Sequence, residues 1–184
     1  GRIAEEKGLL TAVDAMVYLR EKEVLSGWKF IIAGHGPYEE TVRAYIEKKD
    51  AGDIVEMVGF CKKGSVKWKE LMQSAAVAVL PSIWYDNSPI AISESMAFHT
   101  PVIVSDLGGT KEMIQDGKSG YVFKARDPHD LAQKMRYFIE NEDLITEMGE
   151  KAYARVIEIN NEEHYYKKLM TIYDSAIAQN KKEV

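Results

Sequence analysis

A single cysteine, Cys61, excludes an internal disulfide and fits a reducing compartment. Cysteine and the four histidines are too scattered for a zinc site. No apolar stretch reaches the ~20 residues that cross a bilayer. Positive charge is short as well. Lys and Arg number 24 against 29 Asp and Glu, and a net charge of −5 gives no electrostatic case for nucleic acid. No Ser-His-Asp order or His-Glu-x-x-His pattern stands out, and no Asp-x-Asp is present, which removes the usual handle for a metal-bound diphosphate.

What is present is ordinary for a globular protein: 46% hydrophobic and 29% charged residues over 184 positions, enough for one domain with a sizeable core. Apolar runs at Lys29 to Gly34, Ile54 to Phe60, Ala75 to Leu80, Pro101 to Asp106 and Gly120 to Lys124 read as buried strands. Helical stretches are expected at 6–23, 36–50, 63–74, 88–99, 108–116 and 127–141. Strands that alternate with helices and are apolar throughout imply an α/β fold, a Rossmann-like parallel sheet with helices on both faces. This core spans about 1–141, and terminal helices follow over about 143–182. Tyr165, Tyr166, Leu169, Ile172, Tyr173 and Ile177 give the last helix an apolar face, and the Lys181-Lys182-Glu183 tail is expected to fray.

In such sheets ligands bind beyond the carboxyl ends of the strands, and the informative residues fall there. Asp86 and Glu94 are two acids eight positions apart in a strand-to-helix segment. One carboxylate is expected at the helix mouth and the other about two turns inside. Between them lie the free N–H groups of a helix start, which attract anions. A nucleotide sugar matches that layout, with hydroxyls on either side of a diphosphate. Arg2 and Lys7 flank an early turn and could grip phosphate, although on their own they read as solvated charges. Gly34-x-Gly36-Pro37 is a tight turn between strand and helix, and its small residues also allow a ligand near the backbone. Gly108-Gly109 reads as a flexible turn before a helix carrying Glu112. His35 and His99 read as loop or cap residues.

Taken in order, these pieces resemble the carboxy-terminal domain of GT-B glycosyltransferases, family 4 (group 1). The resemblance rests on Gly-Arg-Ile-x-x-x-Lys-Gly at 1–8, Ala33-Gly34-x-Gly36-Pro37, Val55-x-Met57-x-Gly59, Pro81-Ser82, the spaced acids, Glu94-Ser95-Met96-Ala97, Pro101-Val102 and Gly108-Gly109-x-x-Glu112. Each piece is weak and their joint order is specific. The resemblance implies that Arg2 and Lys7 neutralise the donor diphosphate, that Glu94 holds the ribose hydroxyls and that Asp86 holds those of the sugar. Met57 and Val58 would border the base, the N–H groups of Ile90 and Ala91 would face phosphate, and Gly34, Gly36, Asn87, Ser88, Gly108 and Gly109 would complete the donor site.

It also implies a retaining, metal-independent transferase with no cofactor, whose substrate is a nucleoside-diphosphate sugar and whose acceptor is a saccharide or lipid. The protein would be cytoplasmic or peripheral to a membrane. The acceptor site would lie on an amino-terminal GT-B domain outside these residues, so the isolated chain is expected to be inactive. Three positions depart from the family pattern: Asp86 stands where glutamate is usual, Pro89 where many members have glycine, and His99 where glycine would follow the helix. A non-glycine at the last position is expected in left-handed geometry, costing roughly 1 kcal/mol. A nucleotide-sugar binding module without transfer activity and a GT-B-like epimerase are the alternative readings.

Overall fold

The structure, a computed structural model, describes residues 1–25 and 27–180. The 181–183 tail lies outside the described residues. Among the described residues there are five strands: β1 (Phe30–Ala33), β2 (Val55–Gly59), β3 (Ala78–Leu80), β4 (Val102–Ser105) and β5 (Gly120–Phe123). Eight α-helices accompany them among these residues: α1 (Leu9–Glu21), α2 (Glu39–Lys48), α3 (Val66–Ser74), α4 (Ile90–Ala97), α5 (Thr110–Met113), α6 (Pro128–Glu140), α7 (Asp143–Ile159) and α8 (Glu162–Asn180). Every strand pairing is parallel. The strands form two ladders, β1-β2 and β3-β4-β5, where the apolar pattern predicts one sheet.

β4 shows why its sequence is apolar at consecutive positions. Side chains of a strand alternate between faces. Ile103 belongs to the cluster with Val13, Leu19, Leu131 and Phe138, beneath α1 and α6. Val102 and Val104 join Ile92, Met96, Ala152 and Val156, beneath α4 and α7. Both faces are therefore dry, and all three residues are fully buried.

Helix ends follow local chemistry. The Ser65 hydroxyl accepts from the Trp68 N–H to start α3, and Asp127 accepts from His129 and Asp130 ahead of Pro128 to start α6. The first helix begins at Leu9, later than residue 6, because Gly8 at φ 62° closes a separate 3-10 turn over Glu5–Lys7. α5 is a single turn rather than 108–116, since Ile114 is already extended. α4 begins at Ile90 because Pro89 is extended at ψ 121°. Glu94 therefore stands little more than one turn inside the helix, not two.

His99 adopts the expected left-handed conformation, φ 56°. Its ring stacks on Tyr153 at 4.1 Å, and Nδ1 meets Glu150 at 3.0 Å. Those contacts offset the backbone cost. Gly149 completes the joint, because a Cβ there would overlap the His99 carbonyl oxygen. α8 differs from the other long helices. None of its residues over 162–179 is buried, and Tyr165, Tyr166, Ile172, Tyr173 and Ile177 are all exposed.

Candidate functional site

Residues 1–8 cross the carboxyl ends of the two ladders and tie them together. On the β1 side, the Ile3 N–H donates to the His35 carbonyl at 3.0 Å and the Tyr38 N–H to the Ile3 carbonyl at 3.1 Å. On the β3 side, the Glu6 carbonyl accepts from the Ile83 N–H at 2.9 Å and from the Ser82 hydroxyl at 3.1 Å. The glycines make this crossing possible. A Cβ at Gly34 would overlap the Gly1 carbonyl oxygen, one at Gly36 the Ile3 carbonyl oxygen, and one at Gly8 the Pro81 carbonyl oxygen. Gly34 and Gly36 thus admit this protein's own backbone, where the sequence left ligand approach open as a second reason for them.

The crossing delivers Lys7 to Asp86. Lys7 Nζ donates to Oδ1 at 3.0 Å and to Oδ2 at 2.8 Å, and the Ser82 hydroxyl donates to Oδ2 at 2.6 Å. Burial pulls the Asp86 carboxyl upward, but the hydrogen bonds from Lys7 and Ser82 and the Lys7 charge outweigh it. The net result holds the group below the ordinary carboxylate range. A carboxylate offers about four lone-pair directions, and three are already taken. Gly108 and Gly109 brace the same loop from the far side. The Gly109 N–H donates to the Asp86 carbonyl at 3.0 Å, and a Cβ at either glycine would strike the backbone of Tyr85 to Asn87.

At the mouth of α4 no side chain caps the helix. Helix geometry leaves the N–H groups of Ile90 and Ala91 without an intrahelical carbonyl. Arg2, Lys7, Ser82, Asp86, Pro89, Ile90 and Ala91 line one cavity of about 780 Å³. Arg2 is exposed and pairs with Glu6. Glu94 is held by Lys63 at 2.5 Å from the β2–α3 loop. Burial holds the Gly1 amine below its ordinary range, against the smaller opposing pull of Cys61 and Glu94.

Asn87, Ser88, Gly108 and Gly109 line a separate hollow of about 530 Å³ with Glu112, Met113, Ile159 and Asn160. Met57 and Val58 lie at the end of β2, half-buried, and the Val58 carbonyl accepts from Lys67 Nζ at 2.8 Å. Sequence reasoning did not single out Lys63 or Lys67, since loop and surface lysines carry no spacing signal. Ser82 stands out in the sequence as part of Pro81-Ser82 and of the 82–87 loop, without a role of its own. Among the described residues, no group of three or more His, Cys, Asp or Glu side chains is placed to hold a metal ion. No described helix is long and apolar enough to cross a membrane.

Similar proteins share this architecture. The chain is 34% identical over 142 residues to the putative colanic acid biosynthesis glycosyltransferase WcaL of Escherichia coli, covering 74% of this chain and 34% of WcaL. It is 28% identical over 178 residues to the amylovoran biosynthesis glycosyltransferase AmsK of Erwinia amylovora, covering 94% of this chain and 43% of AmsK. The chain therefore spans less than half the length of these relatives. Among solved structures, Staphylococcus aureus TarM in complex with fondaparinux, alpha-GlcNAc-glycerol and UDP superposes with a TM-score of 0.83 at 23% identity, over 94% of this chain and 34% of TarM. Anabaena HepE in complex with UDP gives a TM-score of 0.79 at 18% identity, over 93% of this chain and 47% of HepE. These likenesses establish the fold as that of the GT-B carboxy-terminal domain. The family model described as glycosyl transferases group 1 matches residues 1–155, and the chain belongs to that family.

Proposed function

We propose that this chain is the donor-binding half of a retaining, metal-independent family 4 glycosyltransferase, which moves a sugar from a nucleoside-diphosphate sugar to an acceptor hydroxyl. The observation that carries this reading is the meeting of Lys7, Asp86 and the open start of α4 in one cavity. A diphosphate at that mouth would meet two N–H groups, the Lys7 ammonium and the exposed Arg2 guanidinium. These groups oppose the negative charge that grows as the bond between sugar and phosphate breaks.

Asp86 plays two parts in this reading. It fixes Lys7 against the helix mouth, and its one uncommitted lone-pair direction accepts a sugar hydroxyl. Glu94 accepts from the ribose hydroxyls once they displace the exposed Lys63 ammonium, and Met57 and Val58 border the base. Asn87, Ser88, Gly108 and Gly109 shape the loop that presents Asp86. The acceptor, a saccharide or lipid, would be held by an amino-terminal domain of a longer protein. The test is a thermal-shift panel of UDP-, GDP- and ADP-sugars, with chelator present. A shift with one donor class supports the reading, and no shift with any of them counts against it.

A further inference from the structure

The short helix α5 braces the Asp86 loop, and it is itself held at both ends. The Gly109 N–H donates to the Asp86 carbonyl at 3.0 Å, and Gly108 and Gly109 lie against the backbone of Tyr85 to Asn87. The Thr110 hydroxyl secures the start of α5 through the Leu107 carbonyl at 2.8 Å and the Ser105 carbonyl at 3.1 Å. At the other end, the Glu112 carbonyl lies in the last turn, where a helix supplies no partner of its own. Its partner comes from α7. Arg155 Nη2 donates to it at 3.0 Å, from 43 residues away in the chain.

Arg155 gives up solvent to make this contact. Its side chain is 22% exposed, against 45% for Arg136 and 49% for Arg43, which pair with Glu140 and Glu39 along their own helices. Arg155 Nη1 pairs in the same way with Glu158 at 2.9 Å, and such a pair needs no burial. Arg155 Nε is nevertheless buried, with no hydrogen-bond partner among the described residues. An N–H left unpaired is costly, so the burial answers to the crossing contact rather than to the pair along the helix. Ala152 and Val156, on either side of Arg155 in α7, are buried with Ile92 and Met96 of α4. The guanidinium therefore ties α5 to the helix whose start is the open mouth. We infer that Arg155 is a positioning residue for Asp86, acting through α5: Arg155 holds the Glu112 carbonyl, and Gly109 holds the Asp86 carbonyl. The inference rests on the reading of Asp86 as the contact for a sugar hydroxyl. A displaced Asp86 leaves the phosphate-binding groups in place and loses its aim at the sugar.

The experiment uses Arg155→Met, which keeps the apolar stem and removes every donor, and Arg155→Gln, whose amide ends where Nε lies, short of the Glu112 carbonyl. The two variants should behave alike, so the test survives if one of them does not fold. The Asp86 carboxyl is titrated by carbon NMR without donor, and calorimetry follows the free nucleotide and its sugar conjugate. With the loop released, the grip of Lys7 and Ser82 should loosen and the Asp86 midpoint should rise by about half a pH unit or more. The ratio of the two affinities should change roughly three- to tenfold, with free-nucleotide affinity held within about twofold. That change should disappear when either variant is combined with Asp86→Ala. An unchanged Asp86 midpoint in both variants would overturn the inference. So would equal losses for nucleotide and conjugate that persist beside Asp86→Ala, because Arg155 would then act on the fold at large. The titration needs no donor, so a native chain that binds no nucleotide sugar would count against the donor reading and leave this result to stand or fall separately.

Discussion

The ammonium of Lys7 spans both carboxylate oxygens of Asp86, 79 residues away, at 3.0 and 2.8 Å. The pair closes the candidate site and also couples stability to pH. The folded carboxyl lies below its ordinary range, so its contribution is complete above that range and is lost as pH falls through the folded value. Asp86→Asn should cost about 1–2 kcal/mol at neutral pH after allowance for solvent screening. The difference from the native chain should shrink below about pH 4. Urea midpoints measured from pH 7 to pH 2.5 check this. Parallel curves for the two proteins would contradict it.

The two acids should separate by what they bind. If Glu94 accepts from the ribose hydroxyls as proposed, Glu94→Ala removes interactions worth about 1.5–3 kcal/mol, and affinity for the free nucleotide should fall roughly 10- to 150-fold. Asp86→Ala should reduce discrimination among sugars more than affinity for the free nucleotide. Calorimetry with the nucleotide and with two of its sugars distinguishes these outcomes. Equal losses of free-nucleotide affinity in both variants would overturn the assignment.

Lys63 holds Glu94 in the free chain, yet its side chain is 70% exposed. Such a pair contributes about 0–1 kcal/mol, so donor can displace it at little cost. Lys63→Ala should leave the unfolding midpoint unchanged and tighten nucleotide binding by less than about fivefold. A large loss of affinity would instead make Lys63 a donor contact.

Much of this architecture was legible in the sequence because buried parallel strands are apolar throughout, and all five expected runs contain a strand. The break between β1 and β3 was not, since apolar patterning records burial and says nothing about which edges meet. Helix ends shifted where one residue dominates, as Gly8 and Pro89 do. In the sequence the glycines read as turns, with room for a ligand near the backbone at Gly34 and Gly36. Their further reason, backbone laid against backbone at Pro81, Gly1, Ile3 and Tyr85 to Asn87, needs the tertiary structure. Lys63 was invisible because a solvated lysine and a paired one look alike in sequence. The tyrosine stripe of α8 is visible in the sequence, and the resemblance to a two-domain architecture implies partial exposure of Tyr165, Tyr166 and Tyr173, which the fold shows.

The glycine joints give a graded stability test. Gly8→Ala places a methyl on the Pro81 carbonyl at φ 62°. Left-handed strain of about 1 kcal/mol and overpacking of about 1–3 kcal/mol should add. Gly52→Ala meets nothing within 4 Å and has no positive φ, so it should be neutral. Chemical denaturation of both variants checks the ranking, and similar midpoints would show that the crossing of residues 1–8 is not tightly packed.

Sugar transfer needs an acceptor held against the anomeric carbon, and such positioning supplies roughly 7–11 kcal/mol of the barrier. The isolated chain should therefore bind donor and transfer no sugar, while a longer protein that includes an amino-terminal domain should be active with the same donor. Comparable turnover by the two would place the acceptor site within these 184 residues.

The most direct test of the donor-site account is calorimetric titration of the chain with its preferred nucleotide sugar in excess EDTA, alongside the Arg2→Ala, Lys7→Ala double variant. The account predicts one-to-one binding that persists without divalent cations and is lost in the variant. Binding that vanishes with chelator, or survives intact in the variant, would contradict it.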